Sequence, residues 1–161
     1  MTESVAIYDT GMLLALIRRQ SLALALHERA RQPRHRPVVP GPVLAQAWRP
    51  DRATAHALSV LVQECTVPQA RSAPAALRTE DPGRNLCFAC SSGPDLSDWR
   101  RIGHALATAA LPKKKRPDVV DASVAFAAAR HGSAVIFTSD PEDLAAYLTA
   151  LDARGVHLAP V

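Results

Sequence analysis

One stretch limits what this chain can become more than any other: Arg116 to Leu144, RPDVVDASVAFAAARHGSAVIFTSDPEDL. After Pro117 the density of Val119, Val120, Val124, Phe126, Ala127 and Ala128 predicts a largely buried helix that starts at Asp118. Gly132 marks a tight turn. Ala134-Val135-Ile136-Phe137-Thr138 is then an unbroken apolar run, the pattern of a parallel strand covered on both faces. A helix of about 14 residues and a strand of about 6 each span roughly 20 Å. The start of the helix and the end of the strand therefore fall at one edge of a sheet. Asp118 and Asp121 lie at that helix start, and Asp140 and Asp143 lie just past that strand end. Four carboxylates from distant positions converge.

The rest of the chain supports a sheet of this kind. Ser4 to Asp9 reads as a short buried strand ending in an acid, and Thr10 to Arg19 as a helix with basic residues in its last turn. Ser21 is placed to cap a second helix through Arg31. Pro37-Val38-Val39-Pro40 reads as a second strand, and Pro42 opens a helix from Val43 to Arg49. Asp51 caps a helix through Glu64, Cys65-Thr66-Val67 reads as a third strand, and Ala70 to Thr79 as a further helix. Residues 80–98 hold Pro, Gly, Ser and Asn without a period, the composition of an inserted loop. Ser97 or Asp98 then starts a helix through Ala110, Pro141 to Leu151 forms the last helix, and Val156-His157-Leu158 an edge strand. Strands alternating with helices predict an α/β fold, three layers deep, around a mostly parallel sheet of four to five strands. At 161 residues the chain is expected to form a single domain spanning residues 1–161.

Composition excludes several classes. Hydrophobic residues make up 48%, too many for a disordered chain. No apolar run approaches the roughly 20 residues of a membrane helix, and no signal peptide is expected before the first strand. Three cysteines, an odd number, do not suggest a disulfide framework, so a reducing cytoplasm is the expected compartment. A net charge of +4 permits an anionic partner without requiring one.

The acids are where chemistry is expected. Ligands of open parallel sheets bind beyond the carboxyl ends of the strands, where Asp9 and Asp140 stand. Asp118 and Asp121, three apart on a helix, share a face. Clustered carboxylates resist full ionisation, and a hard divalent cation such as Mg²⁺ or Mn²⁺ relieves that repulsion. Such a site can polarise a phosphodiester and activate a water. Each acid also has a plainer role: Asp140-Pro141-Glu142-Asp143 and Asp118 with Asp121 suit helix starts, and Asp9 is placed to cap the first helix. The joint pattern outweighs any single member.

These residues resemble a family. Tyr8-Asp9-Thr10 with Leu13-Leu14-Ala15-Leu16, Val38-Val39-Pro40 with Val43-Leu44-Ala45-Gln46, Val120-Asp121-Ala122, and Thr138-Ser139-Asp140 are similar in order and spacing to PIN domains, most of all to VapC-type toxins of toxin–antitoxin modules. The resemblance covers almost the whole chain outside residues 80–98. It implies a PIN-like fold and a Mg²⁺- or Mn²⁺-dependent endoribonuclease, with Asp9, Asp121 and Asp140 as the catalytic, metal-holding acids and Asp118 and Asp143 as supplementary ones. It implies RNA as substrate, a cognate antitoxin protein as partner, and a homodimer. One departure stands out: where the family usually carries a Glu after Ala, this chain has Ala45-Gln46. A neutral oxygen there removes one unit of attraction for a cation, so the alternative is a catalytically weakened PIN-like module that binds RNA or a protein.

Lys113, Lys114, Lys115 and Arg116 border the acidic edge and are placed either to hold RNA phosphates or to form a solvated loop. Trp48 and Trp99 are expected in the interior or at a dimer contact rather than stacked on bases. Cys87-Phe88-Ala89-Cys90 has metal-ligand spacing, but no second pair follows and His104 does not complete it, so a zinc site is not expected. A phosphatase of the haloacid-dehalogenase type is excluded because Gly11 stands where its second acid belongs.

Overall fold

A computed structural model describes residues 4–31, 35–69 and 87–161. The chain folds as mixed α/β around one parallel sheet. Three strands, β1 (Val5–Tyr8), β2 (Ala134–Thr138) and β3 (Val156–Pro160), lie in the order β1-β2-β3. Val5 pairs with Ala134, and Ala134 in turn with Val156. All four residues of β1 are buried, as are four of the five of β2, so both faces of the sheet are covered.

The expected four to five strands reduce to three. The second and third appear only as single parallel bridges, Ile7 to Val38 and Val38 to Thr66. Val38 N–H donates to the Ala6 carbonyl at 2.8 Å and Thr66 N–H to that of Pro37 at 2.8 Å, so both segments still extend the sheet edge. Pro37 and Pro40 bracket this segment and have no N–H to donate, which stops the ladder after one rung.

The helices are α1 (Thr10–Ile17), α2 (Ser21–Ala30), α3 (Gly41–Ala47), α4 (Arg52–Leu61), the short α5 (Phe88–Ser91), α6 (Leu96–Thr108), α7 (Val119–Ala129) and α8 (Pro141–Ala150). A 3₁₀ turn, Val62–Glu64, extends α4. Helix α7 is buried almost all round, at Ala122, Ser123, Val124, Ala125, Phe126 and Ala128, and packs against α6, α8 and the first two strands. Asp118 caps it, accepting from Val120 N–H, and Asp51 likewise caps α4 through Thr54 N–H.

Two expected caps move. Ser21 is the first helical residue of α2 rather than its cap. Helix α1 ends in a left-handed residue, Arg19 (φ 56°), with Arg19 N–H on Leu16 O and Gln20 N–H on Ala15 O. That closing motif uses up the connection and leaves no spacer residue for a side-chain cap. Helix α6 starts under Asp95, not Ser97 or Asp98; Asp95 and Asp98 bond each other's backbone N–H reciprocally. The expected helix over 70–79 lies outside the described residues. Within the expected loop, Phe88–Ser91 forms one helical turn. Trp48 and Trp99 are on the surface, 43% and 42% exposed, not in the interior. Among the described residues no helix is long and apolar enough to cross a membrane.

One buried polar group of the core, Tyr8, is paired through a chain of contacts. The Tyr8 hydroxyl lies 2.8 Å from His27 Nδ1, and His27 Nε2 lies 2.9 Å from the Glu64 carboxylate. This chain ties β1, α2 and the 3₁₀ turn together. Burial holds the Tyr8 hydroxyl protonated well above its ordinary range, so it remains neutral.

At the opposite edge from the acids, Gly155 (φ 71°) sits where an added Cβ would lie 2.3 Å from the Gly132 carbonyl oxygen. Gly155→Ala therefore combines left-handed strain with a backbone clash and should cost about 2–4 kcal/mol. Gly103, inside α6 with open space around it, is the contrast: Gly103→Ala should stabilise by about 0.5–1 kcal/mol. Thermal melts of the two variants should shift in opposite directions.

Candidate metal centre

The ends of β1 and β2 and the starts of α7 and α8 deliver acids to the carboxyl edge of the sheet. Asp9 follows β1 and caps α1, with one carboxylate oxygen accepting Met12 N–H at 2.8 Å and the other accepting Ser139 N–H at 3.3 Å. It is buried, and thus rigidly bridges the ends of β1 and β2. Gly11 makes this approach possible: a Cβ there would meet Ser139 Oγ at 2.2 Å and Asp9 Oδ1 at 3.2 Å. Asp140 stands at the cap position of α8 but makes no capping bond through its side chain, which leaves its carboxylate free to turn outward. Asp143 is buried one turn further on. Asp118 is tied down by its own cap and by its N–H donating to the Tyr147 hydroxyl at 2.8 Å. That bond fixes the start of α7 against α8.

Asp121 is the electrostatic centre. Burial, and then the charges of Asp118, Asp143, Asp9 and Asp140, push its carboxyl from 3.8 up to about 7. The other four predicted acids are therefore each close enough to act on Asp121. Burial also raises Asp9, opposed by hydrogen bonds from Thr138, Met12, Ser139 and Gly11. Asp143 Oδ1 is buried and has no hydrogen-bond partner.

The basic loop divides at this edge. Lys113, Lys114 and Arg116 are exposed. Lys115 instead turns into the acids, with its Nζ 2.7 Å from Asp140 Oδ2 and 2.9 Å from Asp143 Oδ2. These hydrogen bonds raise the amine above its ordinary range. Gln46, exposed on α3, accepts a short hydrogen bond from the Thr10 hydroxyl, beside Asp9.

An oxygen-liganded divalent ion fits this donor set. The orphaned Asp143 oxygen, the repulsion focused on Asp121 and the ammonium group drawn between Asp140 and Asp143 all mark a place that favours positive charge. The carboxylates nonetheless stand wider apart than a closed ligand set. Among the described residues, the group whose ligand atoms all lie within 4.8 Å of one another is a different one, His35, Cys87 and Cys90. His35 lies 52 residues upstream of Cys87 in a basic loop, and no spacing pattern in the sequence signals it.

No family model matches the chain, and no curated protein does so either.

The raised carboxyl of Asp121 has a thermodynamic consequence. Between about pH 4 and 7 the folded protein holds a proton that the unfolded chain has released, so the metal-free protein should lose stability as pH rises through that window. Asp9 contributes with the same sign. Melting temperature followed from pH 4 to 8 should fall in the parent and fall much less in Asp121→Asn, which should melt higher than the parent at pH 7.5. Parallel curves for the two proteins would remove Asp121 as the focus of the repulsion.

Proposed function

We propose that this chain is a PIN-like, metal-dependent endoribonuclease, acting as the toxin of a toxin–antitoxin pair. The observation that carries the reading is the convergence of Asp9, Asp118, Asp121, Asp140 and Asp143 on one sheet edge, with Asp121 pushed up to about 7 by burial first and then by the charges of the other four. The fold supports it as a mixed α/β domain whose parallel strands end at that edge. The finer, three-layer PIN-like architecture is part of this proposal, with the Val38 and Thr66 segments completing a five-membered sheet edge.

Asp9, Asp121 and Asp140 would hold Mg²⁺ or Mn²⁺, with Asp118 and Asp143 adding charge around them. A bound ion of this kind neutralises charge on a phosphodiester oxygen and lowers the pKa of a water. The protein's part is positioning. Met12 and Ser139 N–H groups orient Asp9, so its carboxylate loses no further freedom when a cation arrives. Asp121, with its carboxyl near 7, is only partly ionised at neutral pH, and a bound cation would favour its ionised form. Lys113, Lys114 and Arg116, exposed beside Asp118, supply positive charge for an RNA backbone. RNA and an antitoxin are the partners this reading requires, with a homodimer as the assembly.

A second reading rests on Gln46 and Lys115. Gln46 contributes no charge, and Lys115 neutralises Asp140 and Asp143 from within the chain. In that state the module binds RNA or a protein without cutting.

The two readings separate on purified protein incubated with structured RNA and Mn²⁺. The nuclease reading expects cleavage that Asp9→Asn and Asp121→Asn each reduce by on the order of a hundredfold or more. Gln46→Glu, which restores a charge worth about 1 kcal/mol at an exposed position, should lower the Mn²⁺ requirement about fivefold. Cleavage that survives both Asp substitutions belongs to a contaminant, and the nuclease assignment then fails.

A further inference from the structure

The far end of α7 carries a cluster of different chemistry. Cys90 Sγ stands 4.0 Å from His35 Nδ1, and the ligand atoms of His35, Cys87 and Cys90 all lie within 4.8 Å of one another. Both thiols are free. A tetrahedral zinc ion with Zn–S near 2.3 Å and Zn–N near 2.0 Å separates its ligand atoms by roughly 3.5–3.8 Å, so closure needs movements of about 1 Å. The two cysteines flank a single helical turn in which Cys90 and Ser91 N–H groups both donate to the Cys87 carbonyl. That turn keeps both sulfurs on one side, as a Cys-x-x-Cys ligand pair requires.

His131 is the candidate fourth ligand: it lies outside the group of ligand atoms within 4.8 Å of one another, but close enough to His35 for the two imidazoles to act on each other electrostatically. Arg130, at the end of α7, donates to Ser92 O at 2.9 Å and to Ser92 Oγ at 3.1 Å, which clamps the segment after Cys90 onto the residue preceding His131. His131 Nε2 is buried and has no hydrogen-bond partner. A buried imidazole nitrogen without a partner is rare, because its desolvation is uncompensated. Cys87, half-buried, and Cys90, buried, as inert thiols do not account for an imidazole brought to them from residue 35.

We propose that His35, Cys87 and Cys90 bind one Zn²⁺, with His131 as the fourth ligand, in a structural site separate from the carboxylate edge. Two neutral imidazoles and two thiolates give an uncharged complex, and binding releases the two thiol protons to solvent. Sulfur donors select a borderline-soft ion such as Zn²⁺ over Mg²⁺ or Mn²⁺. Helix α7, at 1.5 Å per residue, separates the two sites by roughly 16 Å. The ion would fasten His35, at the entrance to the Val38 bridge, to the turn that leads into α6.

Cobalt substitution of the full-length, reduced protein tests this. One equivalent of Co²⁺ should give the intense d–d bands of a tetrahedral site together with a thiolate-to-cobalt charge-transfer band, and one equivalent of Zn²⁺ should displace it. The carboxylate edge contains no sulfur and cannot produce that band, so Co²⁺ bound there is distinguishable. Cys87→Ser with Cys90→Ser should abolish the band, and His35→Ala and His131→Ala should each weaken Zn²⁺ binding by at least about 10–100-fold. A parent protein that gives no charge-transfer band overturns the site, and this readout does not depend on any variant folding. Unchanged Zn²⁺ affinity in His131→Ala overturns the assignment of the fourth ligand.

Discussion

Mutual repulsion among carboxylates at one sheet edge is the constraint around which this structure is arranged. Five acids arrive there because parallel strands all end at the same side and their helices start there. The helix dipoles favour acids at these starts, but by only about 0.3–1 kcal/mol each. Asp121, displaced from 3.8 to about 7, shows that repulsion and burial outweigh this help. The chain answers with local devices. Asp9 is held by two backbone N–H groups, Asp118 is engaged as a cap, and Lys115 reaches across to Asp140 and Asp143. Only Asp121, the most central, has no such device, and it takes the full shift.

Helix α7 connects two regions of opposite chemical character. Its first turn carries Asp118 and Asp121, hard oxygen donors, and its last residues lead into Arg130 and His131, beside the sulfur and imidazole groups. The helix is buried nearly all round, so it is a rigid spacer between them. On the two proposals above, oxygen donors at one end and sulfur with nitrogen at the other would favour different ions.

The parts of this architecture legible in the sequence were those with local causes. The strand Ala134–Thr138 and the helix after Asp118 follow from an unbroken apolar run and a cap signal, and the structure places both at those positions. The convergence of acids follows from matching a helix length to a strand length. What failed was non-local or subtle. Val38 reads as a strand because its neighbours are apolar, yet two prolines limit it to one bridge on each side. The helix start falls at Asp95 rather than Ser97 or Asp98, because Asp95 and Asp98 bond each other's backbone N–H reciprocally. His35 had no signal at all, since nothing in its surroundings reports that residues 87 and 90 will fold against it.

Lys115 and Gln46 together determine how the acidic edge behaves before any ion arrives. Of the basic loop, Lys115 is the residue that pairs with the acids, through Asp140 and Asp143, and it leaves Asp9, Asp118 and Asp121 without an ion-pair partner among the described residues. On the proposed reading, an ion would compete with the Lys115 ammonium for both the half-exposed Asp140 and the buried Asp143. Gln46 acts in the opposite sense to a full complement of acids: one more carboxylate beside Asp9 would push Asp121 and Asp9 further up and make the metal-free fold less stable. Its bond to the Thr10 hydroxyl keeps an oxygen at that place without the charge. The arrangement thus lowers repulsion in the empty state at the cost of attraction in the loaded one.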